Sequence, residues 1–167
     1  MANPHAASTA ELCAQLAGLL LAQQYKLATA ESCTGGLIAA ACTDLAGSSD
    51  WFERGFVTYS NAAKTSMLGV DAALIASHGA VSEPVARAMA QGALQYSLAQ
   101  VSVAVTGIAG PGGGSADKPV GTVWLAWGLP GAIHSEMLRF SGDRAAVRTA
   151  TVQHALVRLL ALLQSQT

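Results

Sequence analysis

A serine beside a glycine-rich turn is the first residue of this sequence whose position suits covalent chemistry. Ser32 lies within Ala30-Glu-Ser-Cys-Thr-Gly-Gly36, between a β-like stretch and an Ala-rich stretch with helical character. A nucleophile at a strand-to-helix junction has backbone N–H groups close by, and these can stabilise an oxyanion. The run lacks the Gly-x-Ser-x-Gly pattern of α/β-hydrolases, which excludes that class. The competing interpretation is that Ser32 only caps the following helix.

A nucleophilic serine needs a base, and lysine fits that role better here than histidine. None of the four histidines falls in a glycine-rich loop. Lys64 follows Tyr59-Ser-Asn-Ala-Ala at the start of a predicted helix, directly after a predicted strand. A desolvated lysine can lose its proton near neutral pH and act as a general base, and Tyr59 can relay or orient that proton. The pairing of Lys64 with Ser32 is a hypothesis at this stage.

The cysteines offer one competing nucleophile and no metal site. Cys33 precedes a predicted helix, whose N-terminus lowers a thiol pKa, although a small buried residue is the alternative interpretation. Cys13 and Cys42 fall in helical patterns and are expected to be packing residues. The three cysteines form no Cys-x-x-Cys pair, which favours a reducing compartment and excludes a zinc knuckle. We therefore expect neither a metal nor another cofactor.

Two glycine-rich loops follow predicted strands and are candidate anion sites. The first is Thr34-Gly35-Gly36 and the second is Gly107-Ile-Ala-Gly-Pro-Gly-Gly-Gly114. Glycine lets backbone N–H groups point at an anion without a Cβ in the way. The second loop has no Gly-Lys-Ser/Thr and leads into a strand, which excludes Walker A and classical dinucleotide-binding loops. Either loop is a candidate for a phosphate or an oxyanion, and the alternative is that the glycines only turn the chain.

Three arginines, Arg139, Arg144 and Arg148, cluster near the last predicted strand–helix junction. A solvated surface is the main interpretation of such a cluster, and anion binding is the alternative.

The elements that must position these residues alternate between strands and helices. The capping box Ser8-Thr-Ala-Glu11 begins the first helix, Asn61 is the expected N-cap of another, and Asp143 caps the last. Strands are predicted at 26–30, 56–59, 101–105, 122–127 and 133–140, and helices at 37–45, 62–68, 71–77, from 82 onward, and 144–163. Strands that alternate with helices and end in a hairpin predict an α/β domain with a mixed sheet and helices on both faces, which makes three layers.

Length and charge set the class of protein. A chain of 167 residues predicts a single domain over 1–167, with 1–8 as a flexible tail. Nine basic and ten acidic residues without a basic run argue against a nucleic-acid partner. No signal peptide and no apolar run of about 20 residues is visible, so we expect a cytoplasmic protein with no membrane partner. A hydrophobic content of 51% predicts an exposed apolar patch and a homodimer.

Four motifs occur in an order that resembles one known family. They are Ala30-Glu-Ser-Cys-Thr-Gly-Gly36, Phe56-Val-Thr-Tyr-Ser-Asn-Ala-Ala-Lys64, Gly79-Ala-Val-Ser-Glu-Pro84 and the run from Thr106 to Gly114. Over about Ala10 to Leu163, the sequence resembles the CinA C-terminal domain family, the nicotinamide-nucleotide amidohydrolases or NMN deamidases. Each motif alone is weak, but the four in this order are specific.

The resemblance implies an α/β/α sandwich that hydrolyses the carboxamide of nicotinamide mononucleotide, a small-molecule nucleotide, to nicotinate mononucleotide and ammonia in bacterial pyridine-nucleotide salvage. It implies a metal-free site in which a serine nucleophile, here Ser32, is assisted by a lysine and a tyrosine, here Lys64 and Tyr59. The chain lacks the long amino-terminal domain of some relatives, and therefore resembles the stand-alone form. The expected substrate-binding residues are Thr34, Gly35, Gly36, Thr106, Gly107, Gly110, Gly112 and Gly113.

Two other functions stay open from the sequence. The same pocket would serve a sensor or partner module that binds a pyridine nucleotide without hydrolysing it, and ammonia release from nicotinamide mononucleotide separates that function from catalysis. A thiol hydrolase would use Cys33, and it would tolerate loss of the Ser32 hydroxyl.

Overall fold

The computed structural model describes residues 7–166, which form a five-stranded sheet between two layers of helices. Its strands are β1 (Leu27–Glu31), β2 (Phe52–Val57), β3 (Val101–Gly107), β4 (Thr122–Leu129) and β5 (Ala132–Arg139). Its α-helices are α1 (Thr9–Ala22), α2 (Leu37–Thr43), α3 (Asn61–Leu68), α4 (Ala72–His78), α5 (Glu83–Gln95) and α6 (Arg144–Gln164).

The sheet is mixed, as the sequence predicts. Its strand order is β2-β1-β3-β4-β5, in which β1 runs parallel to β2 and β3. Strand β4 pairs antiparallel with β3 and with β5, which confirms the predicted hairpin. Because three neighbouring strands are parallel, their carboxyl ends meet at one edge of the sheet. The loops that begin at Ser32, Thr58 and Ile108 therefore converge there.

Two separate cores confirm the three-layer arrangement. On one face α1, α2 and α6 pack against alternate residues of β3 such as Val103, with Leu16 and Leu156 fully buried. On the other face α3, α4 and α5 cover the intervening residues such as Ala104, with Met89 fully buried. Strand β3 is buried on both faces, as expected for the middle of a sandwiched sheet. The site at the sheet edge thus rests on a rigid scaffold.

Some element boundaries differ from those predicted. Strand β2 begins at Phe52, four residues earlier than expected, and α2 already ends at Thr43. The predicted N-cap at Asn61 is wrong: Ser60 caps α3, and its Oγ accepts a hydrogen bond from the Ala63 N–H at 3.0 Å. Serine and asparagine cap helices about equally well, so the sequence did not decide between neighbours. The Asn61 side chain therefore does not cap α3.

The two ends of the described chain pack on each other. Ser8 and Glu11 form the predicted capping box, and the Gln153 side chain on α6 donates to the Ala7 carbonyl at 2.8 Å. Of the predicted tail, residues 1–6 lie outside the described residues. Within residues 7–166, α6 is the one helix long and apolar enough to cross a membrane, and half of its most apolar stretch is buried in the fold, as in a core helix.

Candidate active site

The turn between β1 and α2 presents Ser32 at the sheet edge. The Ser32 N–H donates to the Val105 carbonyl at 3.1 Å, which anchors the turn to β3. Gly36 adopts a φ of 105°, a left-handed conformation that turns the chain into α2 and that other residues rarely adopt. The buried Glu31 carboxylate accepts hydrogen bonds from the Ile38 and Ala39 N–H groups at 2.8 and 2.9 Å. Glu31 thus occupies the first donors of α2, which are not available to an oxyanion.

Lys64 meets Ser32 across the sheet edge. Its Nζ lies 3.0 Å from Ser32 Oγ and donates to the Thr58 carbonyl at 2.9 Å, while the Tyr59 carbonyl lies at 3.5 Å. A neutral amine has two N–H donors and one lone pair. If the two carbonyls take the two donors, the lone pair faces the Ser32 hydroxyl. The geometry therefore suits a base that removes the serine proton.

The surroundings of Lys64 favour its neutral form. The side chain is only 1% exposed, and burial lowers the pKa of Lys64 below its ordinary value. No carboxylate forms an ion pair with Lys64 anywhere in residues 7–166. Lys64 also lies in the first turn of α3, where the helix dipole disfavours a positive charge. These effects all act in the direction that a general base requires.

The hydroxyl of Tyr59 faces an arginine and not the lysine. Arg144, the first residue of α6, donates through Nη2 to the Tyr59 hydroxyl at 3.0 Å and through Nη1 to the Gly110 carbonyl at 2.8 Å. Tyr59 is 60% exposed, so its ring borders the opening of the site. Tyr59 approaches Lys64 through its main-chain carbonyl. In this arrangement Arg144 ties together the loops that follow β2 and β3.

The environment of Cys33 disfavours its thiolate form. Its side chain is buried, and burial raises the pKa of the Cys33 thiol to about 11, with a smaller contribution from the nearby Glu31 carboxylate. Neutral solution would therefore contain very little Cys33 thiolate, which is the nucleophilic form. Cys13 and Cys42 are likewise buried and form no disulfide, as expected of packing residues.

Ser32, Lys64 and Tyr59 line one cavity of about 210 Å³. A hydrogen bond of 2.9 Å from Thr106 Oγ1 to the Ala80 carbonyl joins two of its walls. A Cβ at Gly107 would lie 2.7 Å from the Val123 side chain, so that wall requires glycine. The other residues around the cavity are Cys33, Asn61, Ala80, Val81, Thr106, Gly107, Ala109 and Arg144.

The remaining expected binding residues lie outside the cavity lining. Thr34 is buried with its hydroxyl on Glu31, and the N–H of the exposed Gly35 donates to the Ser32 carbonyl. Gly36 is the N-cap residue of α2, Gly110 presents its carbonyl to Arg144, and Gly112 and Gly113 are exposed. These glycines shape the two loops, whereas Thr106 and Gly107 face the cavity.

Sequence reasoning missed two polar residues of the cavity. Asn61 was assigned to helix capping, and Arg144 was assigned mainly to the solvated surface. The sequence feature that could have identified Asn61 as a cavity residue is its position within the Tyr59–Lys64 motif. Arg144 lies 85 residues from Tyr59 in sequence, so only the fold brings the two together.

Comparisons with known proteins agree with this architecture. The family model of the CinA C-terminal domain matches residues 9–163. A nicotinamide-nucleotide amidohydrolase PncC of Pseudomonas putida is 58% identical, over 82% of this chain and 86% of that protein. A CinA-like protein of Akkermansia muciniphila is 56% identical over 84% of this chain, which spans only 34% of that longer protein. The crystal structure of the competence/damage inducible protein CihA from Agrobacterium tumefaciens superimposes with a TM-score of 0.89 at 49% identity, covering 92% of this chain and 94% of that one. The chain belongs to the CinA C-terminal domain family.

Proposed function

We propose that the chain hydrolyses the carboxamide of nicotinamide mononucleotide to nicotinate mononucleotide and ammonia, with Ser32 as the nucleophile. The observation that carries this proposal is the 3.0 Å contact between Lys64 Nζ and Ser32 Oγ on the wall of a cavity. Relatives that are 53% and 58% identical over most of their length bear the name nicotinamide-nucleotide amidohydrolase PncC, which supports the substrate.

In the first half of the reaction, Ser32 Oγ attacks the carboxamide carbon while Lys64 Nζ takes the hydroxyl proton. The resulting oxyanion needs preorganised donors, and the N–H of Cys33, directly after the nucleophile, is the candidate in the turn. Lys64 then passes its proton to the amide nitrogen as the C–N bond breaks. Ammonia leaves, and the nicotinate portion remains on Ser32 as an ester.

In the second half, a water molecule takes the place of the ammonia. Lys64 removes a proton from that water, which attacks the ester carbon, and the proton returns to Ser32 as the C–O bond breaks. Lys64 therefore acts as base and acid in turn. Burial lowers the pKa of Lys64, which is the direction that both roles require.

The direct test is ammonia release from nicotinamide mononucleotide by the purified chain, with nicotinate mononucleotide identified by mass spectrometry. Equimolar ammonia and product support the proposal. Binding of the nucleotide without any ammonia would instead identify a sensor or partner module, which would have no use for a serine hydrogen-bonded to a desolvated lysine.

Chelators are expected to leave the rate of ammonia release unchanged. In the part of the chain from 7 to 166, no three His, Cys, Asp or Glu side chains come together in a group that would hold a metal. The measurement compares initial rates before and after dialysis against EDTA. A loss that added Zn²⁺ or Mg²⁺ restores would contradict the serine–lysine mechanism.

Replacing Cys33 by alanine is expected to keep kcat within about threefold of the wild-type value, because the buried thiol is protonated at neutral pH. Cys13→Ala is the matched control, since that cysteine is buried in the same core but is remote from the cavity lining. If Cys33→Ala abolishes hydrolysis while Ser32→Ala retains it, the thiol is the nucleophile.

A further inference from the structure

Two buried thiol groups meet where α1 packs on α2. Cys13 on α1 and Cys42 on α2 are both fully buried in the same apolar core. The Cys13 thiol donates a hydrogen bond of 3.4 Å to the carbonyl of Ala41, the residue directly before Cys42. A second hydrogen bond joins the two thiol groups to each other. Neither cysteine lines the active-site cavity, and the proposed hydrolysis uses neither side chain.

The contact between two thiols distinguishes this pair from ordinary packing residues. A single buried cysteine behaves as a small apolar side chain, whereas two thiols in contact hold the sulfur atoms of a disulfide within reach of each other. Their hydrogen bond lowers the pKa of Cys13 and, together with burial, raises the pKa of Cys42. Cys13 is therefore the thiol of the pair that ionises more readily, and the thiolate is the form that reacts with oxidants.

The third cysteine lies elsewhere. Cys33 follows Ser32 on the wall of the active-site cavity, whereas Cys42 lies in the last turn of α2, after the Ser32 turn is complete. Burial raises the pKa of the Cys33 thiol to about 11, so very little of it is ionised at neutral pH. An oxidant would therefore react with Cys13 and Cys42 as a pair and leave Cys33 reduced.

The position of α1 in the fold gives an oxidant access to the pair. Thr9 of α1 donates to the Gln153 side chain at 3.0 Å, but no ion pair joins α1 to another element within residues 7–166. A cavity of about 280 Å³ between α1 and α6, lined in part by Ala14 and Gly18, leaves their packing incomplete. Elements near a chain end open locally without global unfolding. Such openings admit a small, uncharged oxidant such as hydrogen peroxide.

We propose that Cys13 and Cys42 are a modification site, at which hydrogen peroxide converts the two thiols into an intramolecular disulfide that fastens α1 to α2. The contact of the two buried thiols across the α1–α2 packing carries this proposal. The proposal does not rest on the proposed function, because neither cysteine takes part in it.

The reaction needs only the two thiols and one molecule of peroxide. The Cys13 thiolate attacks one peroxide oxygen, the O–O bond breaks, and the departing hydroxide takes up the proton that Cys13 released, which leaves a sulfenic acid and water. The Cys42 sulfur then attacks the Cys13 sulfur, the S–O bond breaks, and the departing hydroxide combines with the Cys42 proton as a second water. Two thiols are thus oxidised to one disulfide while the peroxide is reduced to two molecules of water.

The crosslink is expected to stabilise the fold and to leave the active site intact. It closes the chain into a loop from residue 13 to residue 42, which restricts the unfolded state. Cys42 lies at the end of α2 that is remote from Ser32. The near end of α2 is fixed by the hydrogen bond of 2.8 Å from the Ile38 N–H to the Glu31 carboxylate. A small movement at Cys42 therefore does not displace Ser32.

The first test treats the purified chain with hydrogen peroxide and measures its thiols, mass and thermal stability. We expect free thiols under denaturing conditions to fall from three to one, the mass to fall by two hydrogen atoms, and Tm to rise by about 5 °C or more. Dithiothreitol should reverse all three changes. Cleavage after Lys26 and Arg54 puts Cys13 in one peptide and both Cys33 and Cys42 in the next, so fragmentation of the linked peptides locates the bond. A bond to Cys33, a bond between two chains, or an unchanged Tm would overturn the proposal.

Matched variants test the pair by thermal melts alone. Cys42→Ala removes one partner, so peroxide should no longer raise Tm, whereas Cys33→Ala should keep the full rise. Each oxidised variant is compared with the same variant in its reduced form, which cancels any destabilisation by the smaller side chain. Cys13→Ala takes the place of Cys42→Ala if that variant does not fold. A rise in Tm without either partner would contradict the assignment.

Ammonia release from nicotinamide mononucleotide then compares the oxidised and reduced wild-type protein. We expect the two rates to agree within about twofold, because the crosslink lies outside the cavity lining. A loss of activity that dithiothreitol restores would show that the bond distorts the site, which would contradict a purely stabilising role. If neither form releases ammonia while the crosslink and the rise in Tm are observed, the proposed function fails and the modification site stands.

Discussion

Replacing Ser32 by alanine is expected to reduce kcat for amide hydrolysis by about a thousandfold or more, because loss of a nucleophile removes the covalent route. Ser32 is 8% exposed and its Oγ contacts Lys64 Nζ, so the substitution removes one hydroxyl without opening a large cavity. Substrate binding should change little, since the other residues that line the cavity remain. The measurement is single-turnover release of ammonia, with a thermal melt to confirm folding.

Ser135→Ala is the matched control for this experiment. Its hydroxyl bonds to Arg87 and Glu83 at another part of the molecule, and the residue does not line the active-site cavity. We expect wild-type kinetics from that variant. Trapping of an ester on a peptide containing Ser32 would support the covalent step. Activity of the Ser32→Ala protein above a few per cent of wild type would mean that Ser32 is a structural residue of the turn.

The local geometry around Ser32 was predictable because short motifs encode it. Glycines 35 and 36 after Ser32 predict a sharp turn into a helix, and both have positive φ values in the structure. The alternation of strands and helices predicts parallel pairing, which brings the ends of β1, β2 and β3 together. From these two facts Ser32 and Lys64 are expected at the same sheet edge, although not at a stated distance.

The orientation of side chains across the site was not predictable in the same way. Whether the Tyr59 hydroxyl meets Lys64 or Arg144 depends on where α6 begins relative to the sheet, which is set by packing between distant segments. The direction of the Gly110 carbonyl depends equally on that contact. The arginine cluster near residue 144 is typical of a solvated surface, and only the fold places one member, Arg144, on the cavity wall. Such features arise from tertiary packing, which a short sequence window does not contain.

Glu31 occupies helix N–H donors that, from the sequence alone, could have stabilised a nucleophile. A serine or thiol before a helix benefits from the donors of the helix N-terminus. Here the Glu31 carboxylate takes the Ile38 and Ala39 N–H groups, and its charge also raises the pKa of Cys33. The proposed nucleophile, Ser32, would therefore need activation by another group. Lys64 Nζ lies 3.0 Å from its Oγ and is our candidate for that role.

Replacing Lys64 by arginine is expected to reduce kcat nearly as severely as replacing it by alanine, by about 100-fold to 10,000-fold. A guanidinium remains protonated at neutral pH and cannot remove the Ser32 proton. Lys64→Met is the companion variant, because it preserves length and burial in a side chain that is 1% exposed. Lys26→Arg, at an exposed position, is the control for the substitution itself. Circular dichroism and thermal melts establish that each variant folds.

The pH dependence of kcat/KM is an independent test of the proposed base role of Lys64. Burial lowers the pKa of Lys64, and only the neutral amine acts as a base, so kcat/KM should rise as pH increases through that lowered pKa and then level off. Protonation at lower pH should abolish activity without unfolding the protein. If Lys64 merely supplied positive charge, activity would instead fall as pH rises, and Lys64→Arg would keep a near-wild-type kcat with a changed KM. Measurement of kcat and kcat/KM across pH for wild type and Lys64→Arg therefore separates a base from a fixed charge, because the two roles predict opposite slopes.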